Sequence, residues 1–446
     1  MSVSAEPGKR KLLTVLGVTF GIAVMVGNTI GAGILRSPGS IAAYLPEFWP
    51  YMAVWVVGGL YAFLGANALA ELATMVPRSG GPYVFVRHAL GGYPGFIVGW
   101  SDWLSTCGST ALVSILFGEY AVGLVPELHT QVVVALMLVA VLTIVQWFGV
   151  RIGAGAQTAT SIMKEAALIV LIGACLILGS QNPLHSSMEV EREMPFLIAL
   201  VLSLQGVIYT YDGWTAPIYF SEEIHDHGRN VPRAMFGGLL MVTVVYLLIN
   251  FGFTRVVPLP TLAGKNMAAA TVAEHLFGAQ GDTVLRIIMV ISLVSAVNSS
   301  VLMAPRVLYA MASDGLFWRG ATEVNRGGTP DVALLISSVL AAAFIVTGTF
   351  EALIAKLAFF FVAIYTLSFM SLFALRRRDP DAPRPYRARG HPLTTGLALV
   401  ASVAFLIGAV ILDVKNSIYA LVLLALSVPV YLLMRKAARP EPAVDD

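Results

Sequence analysis

The chain has 446 residues, of which 57% are hydrophobic and 12% charged; a soluble domain carries roughly 25% charged residues. Its mean hydropathy of +0.79 makes the apolar segments the bulk of the protein, which excludes a soluble body held by one anchor. A net charge of +2 gives no basis for a nucleic-acid partner.

A helix crossing a hydrocarbon core of about 30 Å needs about 20 predominantly apolar residues. In chain order the predicted spans are 13–36, 49–76, 91–123, 131–149, 157–179, 195–220, 234–257, 284–312, 331–349, 353–375, 393–412 and 417–434. The short stretch before the first span ends in Lys9, Arg10 and Lys11 and does not have the make-up of a cleavable leader. Pro46, Pro77, Pro126, Pro232, Pro258, Pro330 and Pro392 fall near the joins. Cys107 and Cys175 lie inside spans, with no His or carboxylate at ligand spacing, and read as reduced packing residues.

Basic residues set a direction. With the N-terminus cytoplasmic, about 20 of the 28 Lys and Arg fall on the inner side, including Arg78, Arg87, Arg229, Arg233, Arg306, the cluster Arg376 to Arg389, and Arg435, Lys436 and Arg439. This is the positive-inside bias. The loop 180–194 is acidic, with Glu189, Glu191 and Glu193, and falls outside. An even number of spans puts both termini in the cytoplasm.

Two spans carry helix-breaking runs at mid-membrane: Gly27-Asn28-Thr29-Ile30-Gly31-Ala32-Gly33 in the first and Tyr211-Asp212-Gly213-Trp214 in the sixth. Lipid offers no hydrogen-bond partner, so broken backbone is tolerated there only where it lines a cavity or meets a ligand. Two interrupted spans at corresponding places in two halves point to a transporter binding site. Five spans per half give the two halves opposite topology. The expected layout is a cytoplasmic tail (1–12), a first inverted repeat (13–179), a second (195–375), two peripheral helices (393–434) and a cytoplasmic tail (435–446).

Further motifs are Gly27-x-x-Ile30-Gly31-x-Gly33-Ile34, Glu71-Leu72 followed by Pro77-x-Ser79-Gly80-Gly81-x-Tyr83, and Ser221-Glu222-Glu223 with Arg229-Asn230-Val231-Pro232-Arg233-Ala234. Later come Asn298-Ser299, the run Ala304 to Ala312 with Asp314-Gly315, and Pro383-Arg384-Pro385-Tyr386. In this order, over about 370 residues, the chain resembles the amino acid–polyamine–organocation transporter superfamily, specifically bacterial relatives of the L-type amino acid transporters. The resemblance implies an all-α fold of twelve transmembrane helices with a five-plus-five inverted repeat. It also implies alternating access and a free L-amino acid bound between spans one and six.

A zwitterion needs two opposite patches a few ångströms apart. A helix start presents free N–H groups and partial positive charge, so Gly31, Ala32 and Gly33 are assigned to the α-carboxylate. Helix packing by small residues at Gly27 and Gly31 is the competing reading. By family position, the ammonium falls to carbonyls of Tyr209, Thr210 and Asp212, with Thr29 from span one. An intramembrane carboxylate is functional by default. Asp212 is read as contacting a cationic or hydroxylated side chain, strengthening the ammonium site, or capping the second half of span six. The resemblance gives the Tyr209 ring the role of covering the substrate from the outer side. Trp214 reads as structural. Asp102 reads as lining the cavity or as bonding Ser and Thr neighbours, the structural reading being preferred.

Lys164 lies roughly 12 Å into span five at 1.5 Å per residue. The resemblance implies that its ammonium fills the place of a sodium ion and bridges spans one and eight, with proton exchange left open; snorkelling to the interface is the alternative. Ser295 and Ser299 share a helix face. They are read as bonding span-one carbonyls or Lys164, or as ordinary interhelical contacts. Phe359, Phe360 and Phe361 could shape a side-chain pocket, but a run of three aromatics necessarily includes lipid-facing rings, so they are left unassigned.

No zinc-protease motif, phosphate loop or nucleophile–base set appears, so no enzyme and no cofactor is expected. A channel would need a continuous polar stripe or charge rings, and only scattered polar residues occur. The expected function is sodium-independent transport of neutral L-amino acids across the cytoplasmic membrane. Cationic amino acid or polyamine antiport through Asp212, and proton symport, are the alternatives. Mammalian relatives pair with a single-span glycoprotein through a disulfide. No cysteine lies at 124–130, so no covalently linked subunit is expected.

Overall fold

The computed structural model describes residues 12–128, 130–179, 194–265, 267–347, 350–412 and 414–437. Lys9, Arg10, Lys11, Glu189, Glu191, Glu193 and Arg439 lie outside the described residues, as do the side chains of Ala32, Phe359, Phe360, Arg435 and Lys436. Among the described residues the chain is all-helical. In order the helices are α1 (Val18–Thr29), α2 (Ala32–Tyr44), α3 (Phe48–Met75), α4 (Pro82–Leu90), α5 (Gly92–Leu124), α6 (Gln131–Trp147), α7 (Val150–Leu178) and α8 (Phe196–Tyr211). They continue as α9 (His227–Val256), α10 (Leu259–Leu262), α11 (Ala268–Phe277), α12 (Gly281–Ser313), α13 (Asp331–Thr347), α14 (Phe350–Arg378), α15 (Leu393–Leu412) and α16 (Val414–Ala437).

Among the described residues, 6 stretches are long and apolar enough to cross a membrane, or 7 when the bent pair at α1 and α2 counts as one. α6 and α13 have 17 residues each, about 25 Å of rise and shorter than a full crossing. α5 and α12 have 33 each and outrun the core by a wide margin. The apolar surface faces outward: Ile177 is 81% and Val170 69% exposed. Such area is a liability in water and is at home against lipid, so this is a multi-pass membrane protein.

Several predicted boundaries are corrected. α1 runs through Gly27 and Asn28 to Thr29 and α2 starts at Ala32, so only Ile30 and Gly31 stand outside helix. α2 then continues to Tyr44, well past the predicted end at 36. The seventh span begins at His227, which draws Arg229, Pro232 and Arg233 into helix. After α8, Gly213 takes φ +110°, a conformation that favours glycine. The second half of that span is a 3-10 turn, Ala216–Phe220, and not an α-helix.

α1 sits at the centre, against α7, α9, α12 and the Ala216–Phe220 turn, with Val24 and Met25 fully buried. Many of the sequence motifs hold loops to one another. Asp314 takes Arg78 at 3.0 Å, the Tyr83 hydroxyl at 2.9 Å and Arg87 at 2.5 Å. Glu71 takes Arg376 and the Ala388 N–H, each at 2.7 Å, and Tyr386 donates to Asn67 at 2.7 Å. Arg306 and Glu223, both buried, pair at 3.1 Å.

Candidate functional site

The two breaks face one cavity of about 550 Å³, lined by Thr29, Gly31 and Gly33 from the first and Tyr209, Thr210 and Asp212 from the second. That volume suits a small molecule. Ala32, whose side chain lies outside the described residues, is the first residue of α2. The free N–H groups at that helix start are those of Ala32, Gly33 and Ile34, with Gly31 as the preceding cap. Gly31 has φ −128°, which any residue adopts, and a Cβ there would meet nothing within 4 Å. Its missing side chain therefore leaves cavity space and relieves no strain. Gly27 differs: a Cβ would meet Gln157 Nε2 at 1.9 Å and Ser299 Oγ at 2.7 Å. The packing reading thus fits Gly27 and not Gly31.

α7 supports the first break from behind. Lys164 is fully buried and donates to the Gly27 carbonyl at 2.8 Å and to the Ile30 carbonyl. These are carbonyls at the end of α1, which a broken helix leaves without N–H partners. The same face of α7 carries Ser161, donating to the Ala23 carbonyl at 2.7 Å, and Gln157, donating to it at 3.3 Å. Residues 157, 161 and 164 are spaced i, i+4, i+7, as are their acceptors 23, 27 and 30, so one stripe of donors meets one stripe of acceptors. The snorkelling alternative for Lys164 is thereby corrected, because the ammonium points into α1. Among the described residues its hydrogen bonds go to the Gly27 and Ile30 carbonyls of the first span. α12 reaches α1 by Ser299, which donates to the Val24 carbonyl at 3.3 Å. Ser295 lies 3.1 Å from Ser161 and 3.2 Å from Gln157.

The second break is held from α9. The Tyr246 hydroxyl lies 2.8 Å from both the Thr29 and the Thr210 carbonyls, and with one proton it donates to one at a time. Ser37 Oγ and Thr210 Oγ1 meet at 2.8 Å across the cavity wall. The Tyr209 carbonyl accepts the Asp212 N–H at 3.1 Å. Among the described residues the buried Thr29 hydroxyl has no partner. Asp212 adjoins the end of α8 and takes a hydrogen bond from the Tyr365 hydroxyl. The residue before the 3-10 turn is Thr215, so Asp212 does not stand at the cap position of that second half, though its carboxylate takes the N–H of Gly213 just past the break.

Trp214 is buried against the Tyr365 ring, 4.9 Å between centroids. Asp102 does line the cavity, but the reading that pairs it with Ser and Thr neighbours is corrected. Ser105 and Thr106 bond its backbone carbonyl, while its carboxylate takes the Tyr219 hydroxyl at 2.7 Å. Phe361 reaches the cavity.

Sequence reasoning missed Gln157, Ser161, Tyr246, Tyr219, Tyr365 and Arg36. The α7 pair had a signal, a polar i, i+4, i+7 row ending in Lys164. Arg36 lines the cavity because α2 continues beyond it, whereas the predicted span stopped there.

The amino acid permease family matches residues 11–430. Over 431 residues the chain is 27% identical to the serine/threonine exchanger SteT of Bacillus subtilis (strain 168), covering 94% of this chain and 97% of that one. It is 27% identical over 392 residues to the b(0,+)-type amino acid transporter 1 of Oryctolagus cuniculus, with 86% and 80% covered. Against the large neutral amino acids transporter small subunit 2 of Mus musculus it is 28% identical over 386 residues, with 83% and 72% covered. With a match that takes in every helix around the cavity, the chain belongs to the amino acid permease family of the amino acid–polyamine–organocation superfamily, as a relative of the L-type amino acid transporters.

Proposed function

We propose that this chain is a sodium-independent secondary transporter of small to medium neutral L-amino acids, a permease or exchanger working by alternating access in the cytoplasmic membrane. The observation that carries this reading is the cavity between the two breaks, with a bare helix start at Gly31–Gly33 and a carboxylate and carbonyls at Tyr209–Asp212. The α-carboxylate sits on the N–H groups of Gly31, Ala32 and Gly33. The ammonium sits among the carbonyls of Tyr209, Thr210 and Asp212, with Thr29 beside it. Lys164, Ser295 and Ser299 act on coupling and gating, and the Tyr209 ring gates from the outer side. The twelve-span, five-plus-five arrangement with cytoplasmic termini belongs to this proposal.

The positive charge of Lys164 on the Gly27 and Ile30 carbonyls supports sodium independence, since those carbonyls already have a cation. On the N-terminal side of the break, Leu16 pairs with the Glu223–His225 backbone and Phe20 packs on Phe220 at 5.0 Å. The cavity runs the other way, to Arg36 and Ser40, which corresponds to an outward-facing state if the N-terminus is cytoplasmic. The relatives' names, a serine/threonine exchanger and a large neutral amino acids transporter, support the neutral class. The name of the latter marks it as one subunit of an assembly. Here Cys107 and Cys175 are buried and free, which supports a chain without a disulfide-linked partner.

Uptake into proteoliposomes with labelled amino acids, with and without sodium and a pH gradient, tests the reading. Alanine, serine or leucine should be taken up without sodium and be trans-stimulated by internal substrate. A sodium requirement overturns the coupling, and uptake without trans-stimulation points to a channel. Asp212 favours a second reading, cationic amino acid or polyamine antiport. Strong competition by arginine, lysine or putrescine, with none by the neutral set, replaces the first reading by that one.

A further inference from the structure

One wall of the cavity belongs to neither break. α5 presents Asp102, Thr106, Ser109, Val113 and Leu116 to it, residues spaced by four and three on one helix face. The face is polar at its Asp102 end and apolar at its Leu116 end. Asp102 is 2% exposed. The Tyr219 hydroxyl fixes its Oδ1 at 2.7 Å. Its Oδ2 has no hydrogen-bond partner among the described residues. The Thr106 proton is committed to the Asp102 carbonyl at 2.7 Å, so it does not serve that oxygen. A buried acceptor left without a partner is costly, and Tyr219 prevents the carboxylate from rotating away to find one.

We propose that Asp102 is a specificity-determining residue that accepts a hydrogen bond from a donor on the substrate's side chain, a hydroxyl in the neutral class. This rests on the transport reading above, in which the breaks hold the amino acid by its backbone groups. A ligand held that way meets α5 with its side chain. An aliphatic side chain there leaves Oδ2 unpaired in the occupied site, whereas a hydroxyl satisfies it. The discrimination then lies between isosteres, threonine over valine, and not between sizes.

The test is equilibrium competition on the purified full-length protein with glycine, threonine and valine. Glycine carries only the backbone groups, so it reads the sites at the breaks alone. The intact protein should bind threonine about tenfold or more tightly than valine, the ratio that the missing bond corresponds to. In Asp102→Leu the two affinities should converge while glycine binding holds. The double variant Asp102→Leu, Tyr219→Phe removes both partners and leaves no orphan hydroxyl; it should show the same convergence should the single variant misfold. Glycine binding with equal threonine and valine affinities in the intact protein overturns the inference and leaves the transport reading standing. So does a threonine preference that survives in either folded variant. Failure of all three to bind, with no other free amino acid bound, removes both.

Discussion

The two breaks are built on opposite principles. The first is short: Ile30 and Gly31 separate two helices bent by 46°, and the chain resumes an α-helix at once. Its loose carbonyls are covered by Lys164 from α7, and its fresh N–H groups face the cavity. The second is longer. Gly213 turns the chain, a 3-10 segment follows, and a tyrosine hydroxyl from α9 and a carboxylate stand at the α8 end. One break thus presents N–H donors to the cavity, and the other presents carbonyls and a carboxylate, which retain lone pairs beyond the bonds they already accept. That complementarity is what a zwitterion requires, and it comes from the neighbours of each break as much as from the broken strands of helix themselves.

Three substitutions probe this difference. The largest effect is expected at the first break's open side. Gly31→Val should abolish amino acid binding while the protein still purifies as a monodisperse species, because its Cβ meets only cavity. Isothermal titration reads it, and affinity like that of the parent would return Gly31 to a packing role. Lys164→Ala should come next, with uptake down by about 10- to 100-fold, as for a lost charge-assisted bond of about 1.5–3 kcal/mol. Some binding should remain, since no substrate contact is removed. The freed carbonyls bias the balance between inward- and outward-facing states. Unchanged uptake in proteoliposomes would mean that the lysine only fills space. Tyr246→Phe should act least, weakening affinity by about 2- to 10-fold for one neutral hydrogen bond, because each carbonyl it serves keeps the rest of its surroundings. A loss as large as that of Lys164→Ala would show that the second break also depends on a single donor, and the contrast would fail.

Much of this architecture is a property of the sequence read in one dimension. Long apolar runs must be helices in lipid, since every backbone group needs an internal partner. A cluster of glycines in mid-span marks a place where that rule is relaxed. The first break was therefore legible to within a few residues, and Lys164 and Asp212 stood out as charges that lipid does not tolerate alone. The exact end of α1 was not legible, because the partner of its last carbonyls, Lys164, comes from α7, far away in the chain. The sequence also could not assign partners. Asp102 has Ser105 and Thr106 beside it in the chain, yet its carboxylate is taken by Tyr219, brought there by the 3-10 turn. Arg36 reads as a span end until α2 is seen to continue past it. Hydropathy decides that a segment crosses the membrane. Which face of it meets which neighbour depends on the rotation and tilt that close packing imposes, and that only the tertiary structure decides.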